Sequence, residues 1–305
     1  MTITKDDKPS NLATLRDGAG TSVKRPVFNF EADVDAVPEL EILGASKKVE
    51  SPVKVGRGAD LSGKKKIIFW TGRGKTGKTT GIRWAAETAV ANKRSLLMAD
   101  MDPTNDTFSK YVADVLRPPE ASDPAIALKW LDKLLQHALQ QGTSLLVDLG
   151  GGDTTLRRLV TQLPDLVAMF EAQGFAVVVL YAVGPQEEDL SPLATLEGLG
   201  FKPTATAIVL NEAMIEVGDT RETAFARVFG HSAFRAALDR GAIPVWMPRL
   251  LAAQQVEIRR LHFRDAADGQ VGQAASPLGP FDRSRVLNWL QAMDTNFAGI
   301  KTWLP

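Results

Sequence analysis

The chain has 305 residues, 44% of them apolar, enough for one large core or two modest ones and too apolar for a fibre or a wholly disordered chain. Thirty-six Lys and Arg balance thirty-six Asp and Glu, so no global field draws the molecule to nucleic acid or an anionic membrane, and any such binding must come from a local patch. The absence of cysteine excludes a disulfide framework and a thiolate metal site, three scattered histidines argue against a zinc centre, and both fit a reducing cytoplasm. Residues 1–10 carry no apolar signal core, and no run approaches the roughly 18 apolar residues of a spanning helix, so a soluble, unsecreted chain is expected.

Residues 1–62 mix Lys, Asp, Pro and Gly with little periodicity, a composition that does not offset the entropy of ordering, and they read as a largely disordered arm. Within it, residues 25–43 interleave Phe28, Phe30, Val34, Val37, Leu40 and Ile42 with acids. Such a segment suits docking on a protein partner or on the body, and equally a loosely associated tail. From Lys65 the pattern changes: an apolar strand at 67–70, a Gly-rich turn, a helix at 78–92 and a strand at 95–99 make one βαβ unit. Asp123 before Pro124 reads as an N-cap with proline at the first helical position, opening a helix striped by Ala127, Trp130, Leu131, Leu134, Leu135 and Ala138. A strand at 144–147, a helix at 155–173, a strand at 176–181, a helix at 187–199, a strand at 205–210 and a short strand at 244–247 follow.

Nearly continuous apolar strands separated by helices predict an α/β fold, a mostly parallel sheet flanked by helices on both faces. Residues 269–280 (GQVGQAASPLGP) read as a flexible linker into a last amphipathic helix at 282–297. That helix carries Leu287, Trp289, Leu290, Met293 and Phe297 but only Arg283 and Arg285 as cations, which suits packing or a partner rather than a lipid anchor. The expected organisation is an arm at 1–62, a nucleotide-binding body at 63–267, and a linker with helix at 268–305.

Between the first body strand and its helix stands Gly72-Arg73-Gly74-Lys75-Thr76-Gly77-Lys78-Thr79, a complete match to the phosphate-loop pattern of Gly, four residues, Gly, Lys and a hydroxyl residue. Glycines at Gly72, Gly74 and Gly77 let successive N–H groups curl around a β-phosphate. The Lys78 ammonium neutralises β/γ oxygens, the Thr79 hydroxyl ligates Mg2+, and the helix N-terminus adds partial positive charge. The bare pattern arises by chance in about one per cent of chains this long, and its place between strand and helix lowers that further. Carboxylates follow two other strands: Asp100 and Asp102 after SLLMA, and Asp148 after SLLV with Gly150, Gly151 and Gly152 behind it. Acids at the carboxyl ends of parallel strands face the ligand crevice, near where magnesium would sit, and Asp148 suits a residue that orients Mg2+ through water. Pro103 gives Asp102 a competing role as a helix N-cap.

Together these residues resemble the ParA/MinD family of deviant phosphate-loop ATPases, whose loop typically reads KGGxGKTT and whose next strand typically ends DxDPQ with an Asn nearby. Here the sequence is RGKTGKTT over Arg73 to Thr80, then Asp100-Met101-Asp102-Pro103-Thr104-Asn105. The resemblance covers about residues 65 to 265 and implies an ATP- and Mg2+-dependent hydrolase that dimerises face to face. It implies loop contacts to nucleotide from Gly72, Gly74, Lys75, Thr76, Gly77, Lys78, Thr79 and Thr80. Arg73 stands where the family has a lysine that reaches the partner's phosphates, Asp102 would position or polarise the attacking water, and Asp100 and Asp148 would hold the magnesium shell. Lys75 replaces the family's third-position glycine, and Thr104 its glutamine. Guanine-specific relatives carry an aspartate three residues after a late-strand Asn or Thr, and Asn211-Glu212-Ala213-Met214 lacks it, which favours adenine. By order, Asn211 and the pair Pro248-Arg249 occupy the positions that border adenine in this family; a simple turn Asn fits the first equally well.

The resemblance also implies a large cargo. Arg249, Arg259, Arg260, Arg264 and His262 against Glu257 suit a local basic face for non-specific DNA, and equally a solvated helix face. The expectation is a nucleotide-switched homodimer that positions DNA or cargo, as in plasmid partition or transfer, with membrane binding disfavoured. Rivals are a small-molecule kinase sharing Lys78, Thr79 and Asp148, and an ATP-binding scaffold with little hydrolysis.

Overall fold

The computed structural model describes residues 12–16, 22–26, 56–103, 107–120, 122–152, 154–273 and 276–305. They fall into two units, Met1–Val49 and Glu50–Pro305. In the first, β1 (Leu12–Arg16) and β2 (Ser22–Pro26) pair antiparallel, with Leu12 opposite Pro26 and Arg16 opposite Ser22. This hairpin is an element the sequence reading did not assign. The rest of the apolar–acidic segment 25–43, beyond Pro26, lies outside the described residues, as do Thr104 and Asn105.

The second unit is built on β3 (Lys65–Gly72), β4 (Leu96–Asp100), β5 (Val115–Leu116), β6 (Ser144–Asp148), β7 (Phe175–Val183), β8 (Ala205–Asn211) and β9 (Ile243–Met247). These seven form one sheet in the order β5-β4-β6-β3-β7-β8-β9, and every neighbouring pair is parallel. The expected parallel α/β architecture is therefore present. The helices are α1 (Lys78–Ala91), α2 (Thr107–Tyr111), α3 (Pro124–Gln141), α4 (Thr155–Gln162), α5 (Leu166–Ala172), α6 (Ser191–Gly198), α7 (Arg221–Ala224), α8 (Ala226–Gly230), α9 (Ser232–Asp239), α10 (Ala253–Arg259), α11 (Phe263–Asp268) and α12 (Pro280–Asn296).

Strand periodicity divides the core into two layers. Ile67 and Phe69 face a cluster built from α3, α4, α5, α6 and α9, whereas Ile68 and Trp70 face a cluster built from α1, α10, α11 and α12. Local signals set most boundaries: the Asp123 carboxylate accepts from the N–H groups of Ala125 and Ile126 at 2.8 and 3.2 Å, and Gly142 closes α3 at φ 57°. The helix expected at 155–173 is two, because Pro164 has no N–H to donate and restrains the residue before it. The helix expected at 187–199 opens as a 3-10 turn, Glu187–Leu190, before α6.

The C-terminal helix packs inward, burying Val286, Trp289, Leu290 and Met293, each such side chain worth about 2 kcal/mol of apolar transfer. The Trp289 Nε1–H donates to the Pro248 carbonyl at 2.8 Å and the Asn296 amide to the Trp246 carbonyl at 2.9 Å, tying α12 to the end of β9. Two expectations are corrected here. The linker before α12 is anchored, since the Gln273 N–H donates to the Arg259 carbonyl and Leu278 is buried. Residues 56–61, assigned by sequence to the arm, lie along the C-terminal segment: the Gly58 N–H donates to the Gly299 carbonyl, the Leu61 N–H to Thr302 Oγ1, and the Trp303 Nε1–H to the Ala59 carbonyl.

Candidate phosphate-binding site

The loop between β3 and α1 lies at the middle of the sheet, where β3 is flanked by β6 and β7. Connections leave β3 toward one edge and later return past it to the other, and that reversal opens a crevice at the strands' carboxyl ends. Three residues of the loop have left-handed or positive φ: Gly72 at 153°, Lys75 at 70° and Gly77 at 87°. At Gly72 a Cβ would stand 2.4 Å from the Ala182 carbonyl, and at Gly77 2.3 Å from Asn211 Nδ2, so both positions require glycine on two counts. Lys75 holds the left-handed conformation without that freedom, a strain that the surrounding loop bonds must offset.

Those bonds curl the loop on itself. The Thr76 hydroxyl donates to the Arg73 carbonyl at 2.8 Å, and the Lys78 ammonium donates to the same oxygen at 3.0 Å. From β8, the Asn211 amide donates to the Thr76 carbonyl at 2.9 Å while its own oxygen accepts from the Ala213 N–H at 3.0 Å. Lys78 is the first residue of α1, whose first turn holds no acid, so the positive end of that helix is uncompensated by its own side chains. Arg73, Gly74 and Lys75 form the exposed crest.

Opposite the loop, Asp100 and Asp148 stand in register across β4 and β6, and Trp70 of β3 is level with Asp148. Both carboxylates are buried. Asp100 accepts from the Asp102 N–H at 3.1 Å and the Ser109 N–H at 3.2 Å, which ties α2 to the end of β4; burial outweighs these bonds and raises its pKa. Asp148 Oδ1 is buried with no hydrogen-bond partner among the described residues. Burial and then the charge of Asp100 push the Asp148 carboxyl well above the usual range, against the pull of Lys78. Burial pushes the Lys78 ammonium down, opposed by Asp148 and Asp102. Acid and base thus both lean toward their neutral forms, so the site is electrostatically incomplete, short of cation beside Asp148 and of anion beside Lys78.

A buried carboxyl oxygen without a partner, whose ionised form a nearby cation would favour, fits a divalent cation or its water shell, so the residues present fit Mg2+. Among the described residues no group of three or more His, Cys, Asp or Glu is arranged to hold a metal. The ion would therefore bring phosphate oxygens and water with it, as Mg2+ commonly does. Two glycines let the walls close: a Cβ on Gly151 would stand 2.6 Å from Gly74 N, and one on Gly150 3.0 Å from Asp102 Cα.

The structure brings most of the sequence-derived residues together. Gly72, Gly74, Thr76, Gly77 and Lys78 form the loop, Thr79 and Thr80 open α1 half-buried beside it, and Asp100, Asp102 and Asp148 face it from the neighbouring strand ends. Asn211 is level with Met247, and Arg249 donates to the carbonyls of Glu212 and Ile215, so the loop after β9 does border the Asn211 turn. The Pro248 carbonyl is taken by Trp289. Arg259, Arg260 and Arg264 do not share a helix face. Arg259 is held by Gln255 and the Ser276 carbonyl, Arg260 is the left-handed C-cap of α10, and Arg264 is on α11.

Three residues escaped the sequence reading. Asp189 pairs with Arg73 at 3.3 Å, Arg117 donates to the Asp102 carbonyl at 2.9 Å, and Arg157 lines a cavity of about 160 Å3 with Gly72 and Gly152. Asp189 sits among three consecutive acids, and neither arginine belongs to a recognised motif, so spacing gave no signal for them.

No protein-family model matches the chain, and no curated protein does. Among solved structures, the chain is similar to FtsY from Mycoplasma mycoides at 14% identity and a TM-score of 0.37, over 81% of this chain and 70% of that one. That likeness is too distant to bear on function. No helix among the described residues is long and apolar enough to cross a membrane.

Proposed function

We propose that the chain is an ATP hydrolase of the phosphate-loop class whose nucleotide state controls a homodimer acting on DNA or another large cargo. The observation that carries the nucleotide reading is the loop itself: a curled backbone at the sheet's central strand, its lysine parked on the Arg73 carbonyl, facing a buried carboxylate with an orphaned oxygen. Loop N–H groups would grip the β-phosphate, and Lys78 would exchange the Arg73 carbonyl for β/γ oxygens. Thr79, Asp100 and Asp148 would hold Mg2+, which supplies charge neutralisation of the polyphosphate when bound. Asp102, next to the loop but on a different strand end, would orient the water whose oxygen bonds to the γ-phosphorus as the β–γ bridge breaks. Adenine is favoured over guanine because no aspartate follows Asn211 at the third position.

The exposed crest of Arg73, Gly74 and Lys75 supports the dimer reading, since a second copy has access to the loop there. Arg260 and Arg264 remain the candidate contacts to DNA phosphates. Binding of fluorescent ATP and GTP analogues, with Mg2+ and with chelator, tests the first step. Lys78→Ala should abolish affinity with the fold intact, and retained tight binding in that variant would overturn the assignment. Sedimentation with ADP, ATP and a non-hydrolysable analogue, with and without duplex DNA, tests the second. A single size under all conditions counts against the switch, and turnover only with a small acceptor would mark a kinase instead.

A further inference from the structure

A second basic site lies at the other end of α1. That helix starts at Lys78 in the phosphate loop and runs 14 residues, about 21 Å at its rise per residue, to a C-cap followed by Lys93 and Arg94. There a cavity of about 260 Å3 is lined by Trp84, Thr88 and Arg94 on the α1 side, Arg264 of α11, Asp294 of α12 and Lys301 of the C-terminal 3-10 segment. Three cations thus converge from three separate elements on one concavity, against one carboxylate side chain. Arg94 donates to the Pro305 carbonyl, which fixes the guanidinium at the rim and leaves its remaining N–H groups available.

The buried Lys66 ammonium at the adjacent start of β3 is pushed down in pKa by burial and next by the positive charges of Arg94 and Lys65, so the field of this patch reaches into the sheet. Trp84 and Thr88, one turn apart on α1, add two polar atoms, an indole N–H and a hydroxyl, that are buried without partners among the described residues. Arg264, by contrast with the half-buried Arg259, is exposed at this cavity.

We propose that this cavity binds a phosphate-bearing ligand, at a site separate from the phosphate loop, with Arg94, Arg264 and Lys301 contacting the phosphate oxygens. Guanidinium forks suit a tetrahedral oxyanion, and the concavity is of a size for a small group rather than an extended one. The same chemistry can come from a free small phosphate or from one phosphate of a nucleic-acid backbone. This inference does not rest on the hydrolase reading.

The test follows the Trp84 indole N–H in 1H–15N spectra of the full chain, assigned by Trp84→Phe, during titration with inorganic phosphate, pyrophosphate and a short DNA duplex, with sodium chloride at matched ionic strength as control. A saturable shift is expected. It should be weakened at least about tenfold by Arg264→Ala with Lys301→Ala, the loss of two charge-assisted contacts, and retained in Lys78→Ala. Saturation by free phosphate or pyrophosphate assigns a small ligand, and saturation by duplex at far lower concentration assigns a backbone phosphate. No saturable shift with any probe, an equal shift in the double variant, or loss of the shift in Lys78→Ala would overturn the proposal. Both substituted side chains are exposed, and Lys301→Gln alone, read the same way, guards against a double variant that does not fold.

Discussion

The guanidinium of Arg73, on the crest of the phosphate loop, is held 3.3 Å from the carboxylate of Asp189, which lies in the 3-10 turn after β7. The partners differ in exposure, 47% for Arg73 and 5% for Asp189, and the second Asp189 oxygen is buried without a hydrogen-bond partner among the described residues. The loop arginine is thus engaged within its own chain. In the proposed dimer it would have to leave Asp189 to reach a partner's phosphates. Because the pair is half solvated, releasing it is worth only about 0.5–1 kcal/mol, so Asp189→Asn should raise the ATP-dependent dimerisation constant about two- to fivefold. Arg73→Ala should lower it. Sedimentation velocity with a non-hydrolysable analogue checks both, and equal effects of the two substitutions would mean that Arg73 acts only within its own chain.

Asp148 presents the opposite case, a buried carboxyl with no partner for one oxygen. Its raised folded-state pKa means that the native chain holds a proton that the unfolded chain releases near the ordinary carboxylate value. Stability therefore falls as pH rises from that value to the folded one. Asp148→Asn should remove this slope and, by taking the ionisable group out of the buried site, raise the unfolding free energy of the nucleotide-free protein near neutral pH. The same substitution should erase the Mg2+ dependence of nucleotide binding. Denaturant titrations across pH, paired with binding at varied Mg2+, measure both effects.

Asn211 spends its amide N–H on the Thr76 carbonyl and its oxygen on the Ala213 N–H, so it braces the loop from β8. Asn211→Ala would leave the Thr76 carbonyl short of its donor in a buried setting, at a cost of about 1–2 kcal/mol. Affinity for ATP and GTP should then fall together, by about tenfold. A residue whose main work is reading the base would instead change the ATP-to-GTP ratio, which competition binding resolves.

The parallel sheet was legible because strands buried on both faces read as unbroken apolar runs, as in Ile67 to Trp70 and Val177 to Leu180. The loop was legible because phosphate chemistry demands glycines and a lysine at fixed spacing. The short helices between Arg221 and Asp268 were not, since segments of four to eight residues give too few turns for a helical period to show. The two-residue strand β5 has no period at all, and it exists only because β4 offers an edge. Contacts that cross the fold were equally hidden. Nothing local marks Asp189 as the partner of Arg73, 116 positions away, or shows that Trp303 closes over Ala59.

A buried cluster joins α1 to the segment before α11 and supplies the last prediction. The Glu87 carboxylate lies 3.3 Å from His262 Nδ1 and accepts from the Phe263 N–H at 2.7 Å. Beside it the Arg83 guanidinium is sandwiched 3.6 Å from the Tyr111 ring centre and 4.5 Å from that of Phe263, donating to the Leu261 carbonyl. His262 therefore faces Glu87 and Asp265, which favour its charged form, and Arg83, which opposes it. The close Glu87 carboxylate dominates, and the histidine pKa is raised. A raised folded-state pKa gives stability that is complete below the ordinary histidine value and lost as pH rises through the folded value. With His262 44% exposed, solvent screens the pair and the effect should be about half a kcal/mol. The melting temperature should therefore drop by a degree or two between about pH 6 and pH 8.5. His262→Gln, which keeps a donor for Glu87 but cannot titrate, should flatten that step, and a variant that retains the full drop would place its origin in another group.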